Sequence, residues 1–452
     1  MKRFAYVMLC FVFALISCSK DESALSGEDE SLVSNENDTE ENIEDDSEEH
    51  GDESSSTYAF LGNDFQVNSY KDGNQSYPKV AVTPDGKAIV VWESAGQDGD
   101  GHAVAAQKYN SDGSKWGNEF VVNTETKLAQ SQPTVAVADD GSHIIFWRSK
   151  DQDGSDFGVY AQRYNSSGTK VGEEFRVNEE TKSNQDLAYA AYHSNGNLMV
   201  IWESSDQDGK AGEIYARVYD AAFNDISNGE FRVNTVIDLW QNTARIIAVP
   251  SGFVVVWESL VDFDSERLNI VFKRFDTEGN ELMAMEQQVN TRESCDQKNP
   301  DIAALADGTF AIVWEHLEDP EKCSSAQTLA SDITARIYNS DGTAFTNEII
   351  LSQNTNGNQN LGITNDYKGG FAVIWQGDAS SNDSTDEIYS RRLLANGTPV
   401  GDVFTVNSNT DSYQVFPAIA AAPNGNLFAV WGSWSGDANG TSVRGRRMNI
   451  GE

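Results

Sequence analysis

Few side chains in this 452-residue sequence are spaced for chemistry. The five His are His50, His102, His143, His193 and His316, and no two stand close enough in sequence to suggest a metal pair. There is no Gly-x-Ser-x-Gly elbow and no phosphate loop, so the best-marked routes to a serine nucleophile or a nucleotide are missing. The four Cys, at 10, 18, 295 and 323, form no Cys-x-x-Cys, which argues against a zinc centre. Acids are plentiful, 71 Asp+Glu against 32 Lys+Arg, for a net charge of −39. Such a balance argues against nucleic acid, which needs Lys and Arg to replace counterions, and against docking on anionic lipid. Some acids alternate in glycine turns: Asp98-Gly-Asp100, Asp151-Gln-Asp153-Gly-Ser-Asp156 and Asp206-Gln-Asp208. Carboxylates so arranged can converge on Ca²⁺, and Asp151, Asp153 and Asp156 form the best-furnished loop. The loop lacks the closing bidentate Glu of an EF-hand, and Asp and Gly are also ordinary turn formers.

The N-terminus reads as an address. Met1-Lys2-Arg3 is positive, and Phe4 to Ile16 is an apolar run of 13 residues. That run suits a signal segment and is too short for a hydrocarbon core about 30 Å thick. It ends in Leu15-Ile16-Ser17-Cys18, which resembles the lipobox of bacterial lipoproteins. The resemblance implies a signal peptide over 1–17, lipidation of Cys18 and a membrane anchor there. The following Ser19-Lys20-Asp21-Glu22 resembles the surface-export signal of Bacteroidota lipoproteins and implies outer-membrane, surface-exposed display. From Asp21 to Glu53 there are 16 acids and no base. That composition cannot offset its ordering entropy, so 18–57 is expected to be an extended acidic tether.

Beyond it the sequence repeats. An aliphatic run closes on Trp92, Trp147, Trp202, Trp257, Trp314, Trp375 and Trp431, at spacings of 55, 55, 55, 57, 61 and 56. Val-Asn pairs keep the same beat from Val67-Asn68 to Val406-Asn407, with Leu351-Ser352 in the sixth unit. A Gln follows seven residues after each: Gln75, Gln130, Gln185, Gln241, Gln297, Gln359 and Gln414. Within the second unit the expected strands are Thr134–Ala138, His143–Ser149, Gly158–Tyr164 and Glu174–Asn178. No window holds a 3.6-residue apolar period, which excludes helical solenoids and parallel α/β folds.

Four antiparallel strands repeated seven times describe an all-β, seven-bladed β-propeller over 58–452. Phe65-Gln66-Val67-Asn68 precedes the first Trp strand, while the last unit offers three strands. The N-terminal strand is therefore expected to complete the seventh blade, since closure removes exposed edges. Here the chain resembles bacterial seven-bladed propeller lipoproteins of degenerate FxVN…VVWES repeats. Recurrence once per blade assigns the Trp series to the core between blades and the Gln series to hydrogen bonds with the entry-loop backbone. Glu93, Glu203, Glu258 and Glu315, one residue past Trp, are expected to pair with third-strand bases such as Arg217 or Arg336.

Function should lie where the units differ. Turns after first and third strands are tight, whereas loops after second strands and between blades are long, so the long-loop face is the expected working face. Cys295 and Cys323 belong to that face of blade five, and outside the cytoplasm they are expected to form a disulfide. Trp434, Tyr413, Phe416 and Tyr77 flank the closure seam and could form one aromatic patch, with Trp240 in the loop entering blade four. Exposed aromatics stack on sugars or on apolar partner groups, though they could equally pack within their loops. The expectation is a monomeric, membrane-anchored propeller binding a glycan or protein ligand without catalysis, with no nucleic-acid partner and no required cofactor, Ca²⁺ being the one ion its acidic loops could take. The competing expectation is a glycan-active propeller enzyme, a lyase or a glycoside hydrolase.

Overall fold

The computed structural model describes residues 58–450, apart from 206, 208–211, 262–266, 293–294, 318–330, 353–355, 379–384 and 438–439. The signal and tether segments, and Cys323, lie outside the described residues. All regular elements among the described residues are β-strands, and they form seven antiparallel sheets. Blade two is typical: Gln130–Val137, His143–Lys150, Phe157–Tyr164 and Lys170–Arg176 pair in that order from the axis outward. The first strands of successive blades pack on one another in sequence, and that of blade seven, Gln414–Ala421, packs on that of blade one, Gln75–Val82. The ring is therefore closed. Its fastener is the expected one: Phe65–Gln66 pairs with Gly440–Ile450 at Phe65↔Gly445, and Tyr58–Phe60 adds Tyr58↔Ile450 on the same strand.

Every first strand starts about four residues earlier than the alternation of apolar residues suggests. The reason is a bulge. The residue two past the conserved Gln has a positive φ: Tyr77 (51°), Gln132 (51°), Leu187 (47°), Thr243 (53°), Asn299 (49°) and Phe416 (55°). Non-glycine residues seldom adopt this conformation, so its recurrence is a demand of the fold. It breaks the period of two and hides the first half of the strand from pattern reading. In blade six the bulge falls on Asn360 (48°), directly after Gln359. Gln359 is therefore one residue out of register with its supposed equivalents, and its side chain is exposed.

The Trp series is buried at 0–1% exposure. Each Trp clusters with neighbouring-blade residues; Trp202, for example, packs with Ala136, Phe146 and Val159 of blade two. The Gln series holds the indoles. Trp92 Nε1 donates to Gln75 Oε1 at 2.9 Å, and the same bond recurs for Trp202, Trp257, Trp314 and Trp431 at 2.7–3.1 Å. The other end of each Gln donates to an entry-loop carbonyl, as expected: Gln185 to Lys182 O at 3.2 Å, Gln297 to Cys295 O at 3.0 Å. The Val-Asn side chains stitch the outer half of each blade. Asn178 Oδ1 accepts the Val159 N–H at 2.8 Å and its Nδ2 donates to Glu180 O at 2.7 Å.

Blade two departs from this scheme. Gln130 Oε1 accepts from Asn123 Nδ2 at 3.3 Å, and the buried Trp147 Nε1 has no hydrogen-bond partner among the described residues. Trp202→Phe strands the Gln185 oxygen, whereas Trp147→Phe strands nothing. W202F is expected to cost about 1 kcal/mol more than W147F, the net worth of one buried hydrogen bond. Thermal melts followed by circular dichroism compare them, and equal losses would sink this account of the Gln–Trp bond.

Candidate functional site

The position one past each Trp lies on the face of the second strand turned to the next blade and reads Glu93, Arg148, Glu203, Glu258, Glu315, Gln376 and Gly432. The four glutamates do not meet the third-strand bases. Glu203 stands opposite Ile214, while Arg217 stands opposite Val200. Three residues separate them along the strand, so they lie on opposite faces of the sheet. Arg217 instead binds Asp225 at 2.7 Å and Val177 O at 2.9 Å, and Arg336 donates to Val289 O at 2.7 Å. Each Glu spans the gap to the next blade and receives the N–H of its bulge residue. Glu93 accepts from Gln132 at 2.6 Å, Glu203 from Thr243 at 2.7 Å, Glu258 from Asn299 at 2.6 Å and Glu315 from Asn360 at 2.6 Å. Gln376 does the same for Phe416 at 3.1 Å with a neutral amide. In blade two Arg148 binds Asp186 at 2.6 Å, and the other Asp186 oxygen accepts the Leu187 N–H at 2.8 Å. Gly432 ends the series with no side chain, at the closure seam.

Burial pushes these carboxyls up: Glu93, Glu258 and Glu315 to about 7 and Glu203 to about 8. The bulge N–H bonds and nearby cations oppose the shift. Asp186, Glu258 and Arg245 face Glu203, and the first two raise it further.

A second axial set lies deeper. Four residues past the Gln stand Lys79, Thr134, Tyr189, Arg245, Asp301 and Ala418. The Arg245 guanidinium lies over the Tyr189 ring, 4.1 Å from its centroid. The Asp301 oxygens accept the N–H groups of Ile302 at 2.9 Å and Ile363 at 3.1 Å. Asp301 also feels both Arg245 and Lys79. Lys79, on the first strand of blade one, and Asp301, on that of blade five, hold the same register position four past the Gln. Sequence reasoning missed this set. The signal was there, because the position varies in chemistry at constant register, but the hidden bulge obscured the register. At the tight-turn end, the first strands of blades three to six enclose a cavity of about 300 Å³ lined by Ala191, Tyr192, Ile247, Ala303 and Thr364. That lining offers little chemistry.

The sequence-chosen aromatics form two pairs at the seam of blades seven and one. Tyr77 and Phe416 lie 4.4 Å apart between ring centroids, and Tyr413 and Trp434 lie 5.6 Å apart. Trp434 is 54% exposed, and Tyr413 and Tyr77 are each 40% exposed. The Trp434 N–H donates to Tyr413 O at 3.0 Å, which fixes the second pair. Trp240 is also half exposed, but it stands in blade four away from the seam.

The other candidates are not brought together. Asp156 binds Lys150, Asp153 accepts the Ser155 N–H at 3.2 Å and faces Arg176 at 4.0 Å, and Asp151 occupies a left-handed turn position (φ 55°). Among the described residues no three carboxylate, imidazole or thiol groups are placed to share a metal ion, these three included. Cys295 is buried beside Gln297. His143 is buried against Tyr164 at 4.9 Å and held down to about 4 by burial, and His316 Nδ1 sits 3.0 Å from Gln297 Oε1. Neither His143 ring nitrogen has a hydrogen-bond partner among the described residues, and His316 stands opposite Asp332 in the strand register.

An acid whose folded pKa lies above its unfolded value of 4.5 lowers stability when it ionises. The cost is absent below the unfolded value and complete above the folded one. The propeller is expected to lose stability as pH rises from about 4.5 to about 8. Glu203→Gln keeps the acceptor, as Gln376 shows, and removes the ionisation. E203Q should raise the melting temperature at the alkaline end and leave it unchanged at the acid end. Parallel melting profiles for the two proteins would refute this.

No protein family and no curated protein matches the chain. Solved structures do resemble it in fold. A protein of unknown function from Dyadobacter fermentans aligns at TM-score 0.50 and 11% identity over 87% of this chain and 99% of its own. The polysaccharide lyase Uly1 aligns at TM-score 0.53 and 9% identity over 89% and 94%. An α-L-arabinanase from Penicillium chrysogenum, solved with arabinobiose, aligns at TM-score 0.50 and 14% identity over 87% and 99%. At these identities the likeness is one of fold: this chain is a seven-bladed β-propeller.

Proposed function

We propose that this protein is a lipoprotein anchored through Cys18 and displayed at the outer-membrane surface, whose propeller binds a glycan on its long-loop face without catalysis. The observation that carries the reading is the seam of blades seven and one. There the axial series lapses at Gly432, and two aromatic pairs, Tyr77–Phe416 and Tyr413–Trp434, stand partly open beside it. Paired rings offer flat apolar area at low entropic cost, which is what a sugar face needs. The axial carboxyls are meanwhile engaged by backbone N–H groups, so they are poorly placed to act as an acid and a nucleophile. Two of the solved propellers act on glycans, which agrees with a carbohydrate ligand. A Cys295–Cys323 disulfide would clamp the long blade-five loop on the same face.

A second reading, a glycan-active enzyme, is favoured by one feature. Lys79, Tyr189, Arg245 and Asp301 are not repeated around the ring, and single-copy groups in a lumen are where chemistry would sit.

A glycan array probed with the full chain tests binding, and a reducing-end release assay on each binder tests turnover. Binding without release is expected. Trp434→Ala with Tyr413→Ala should weaken it at least tenfold, the order of two lost stacking contacts. Full affinity in the double variant would remove the seam from the site, and release of reducing ends would replace the binder with the enzyme.

A further inference from the structure

The axial cations are not all accounted for. Arg148 has Asp186 at 2.6 Å and Lys298 has Asp296 at 2.9 Å. Lys79 makes no hydrogen bond and no ion pair with any described residue. Arg245 donates one bond, to the neighbouring Ala244 O at 2.9 Å, and has no carboxylate within ion-pair distance among the described residues. Both are partly buried. In a chain with 71 acids, two cations drawn into a lumen without a partner are conspicuous. A charge withdrawn from water is costly unless it is paired.

The acids nearby are already committed. Asp301 spends both oxygens on backbone N–H groups, and Glu203 and Glu258 each hold the bulge of the next blade. Arg245 is held by its stacking on Tyr189 and by its Nη1 bond to Ala244 O, which leaves its Nε–Nη2 edge to meet an anion in two-point fashion. Lys79 lies two residues beyond Tyr77 on the same first strand, so it stands one layer beneath the aromatic pair. Lys79 and Arg245 hold the same register position, four residues past Gln75 and Gln241 on the first strands of blades one and four, which sets the two cations at one level around the axis.

We propose that the axial channel beneath Tyr77 and Phe416 receives the anionic group of an acidic glycan, a carboxylate or a sulfate ester, between Lys79 and Arg245. This rests on the glycan-binding reading and adds its ligand class. The sugar ring stacks on the aromatic pair, and its anion reaches the two cations below. The acidic surface makes the site selective. A polyanion is repelled by the rest of the molecule, so binding has to be earned at this one place and cannot come from diffuse attraction.

Isothermal titration of the full chain with polygalacturonate, dextran sulfate and neutral dextran, at low and at raised salt, tests this. At least one acidic polymer is expected to bind and neutral dextran is not. The comparison between carboxylate and sulfate polymers identifies the anion. Lys79→Met and Arg245→Met should each weaken binding about tenfold or more, and Arg245→Lys should recover only part of it. Arg245→Lys keeps a charge in place, so it serves as the variant if Arg245→Met fails to fold. Failure of both acidic polymers, equal binding of neutral dextran, or full affinity in the Lys79 and Arg245 variants would overturn the proposal. If those variants bind normally while Trp434→Ala with Tyr413→Ala does not, the aromatic seam stands and the axial anion site falls.

Discussion

Closing a ring of seven wedges sets one condition on each of them. Every blade must dock on the next at nearly the same angle, and its innermost strand must satisfy its backbone while facing a lumen. The strand meets the condition with a residue forced to positive φ, which turns one N–H out of its own sheet and toward the preceding blade. That N–H is buried and needs an acceptor. The acceptor is the side chain one past the Trp of the preceding blade, and in this way the ring is laced blade to blade around its axis. Docking of the Trp faces supplies area, but area alone is not directional. The N–H to carboxyl bond fixes where each wedge stops.

This explains why burial of so many carboxyls is tolerated. What the site requires is an oxygen acceptor, and a charge is incidental to it. Gln376 makes the point within the same molecule, holding Phe416 with an amide at 3.1 Å. A glutamic acid that keeps its proton near neutrality serves equally well through its carbonyl oxygen. Burial therefore drives these groups toward the neutral form without breaking the ring. Arg148 cannot accept at all, and the molecule compensates by letting Asp186 supply the oxygen and bind the Arg together.

The sequence disclosed the architecture because packing repeats. Trp, Val-Asn and Gln recur at nearly constant spacing, and each serves the same contact in every blade, so counting them counts the blades. The closure by Phe65–Gln66 followed from the same count. The axial chemistry was harder to read for two reasons. The bulge shifts the side-chain alternation halfway along each first strand, so Lys79, Arg245 and Asp301 looked like scattered charges on an irregular segment. And a Glu after Trp invites pairing with the nearest base, when the strand's period of two puts Arg217 on the far face from Glu203. Gln359 misled for a related reason, since the longer sixth unit moves its bulge by one residue. Tyr77 and Phe416 could be brought together on paper because chain closure makes neighbours of blades seven and one, and the structure pairs those two rings and, separately, Tyr413 with Trp434.

A repeat that laces every seam alike leaves no seam free to do anything else. Blades one to six each place a long polar side chain after Trp, and only blade seven places Gly432 there. Blade seven is also where the N-terminal strand completes the sheet, so its outer edge is held by pairing between the two ends of the chain. The lapse at Gly432 falls at the seam where Tyr77, Phe416, Tyr413 and Trp434 stand, and below it Lys79 has no ion-pair partner among the described residues. Symmetry fixes the scaffold, and the point where symmetry is relaxed without loss of closure is where a ligand can be admitted.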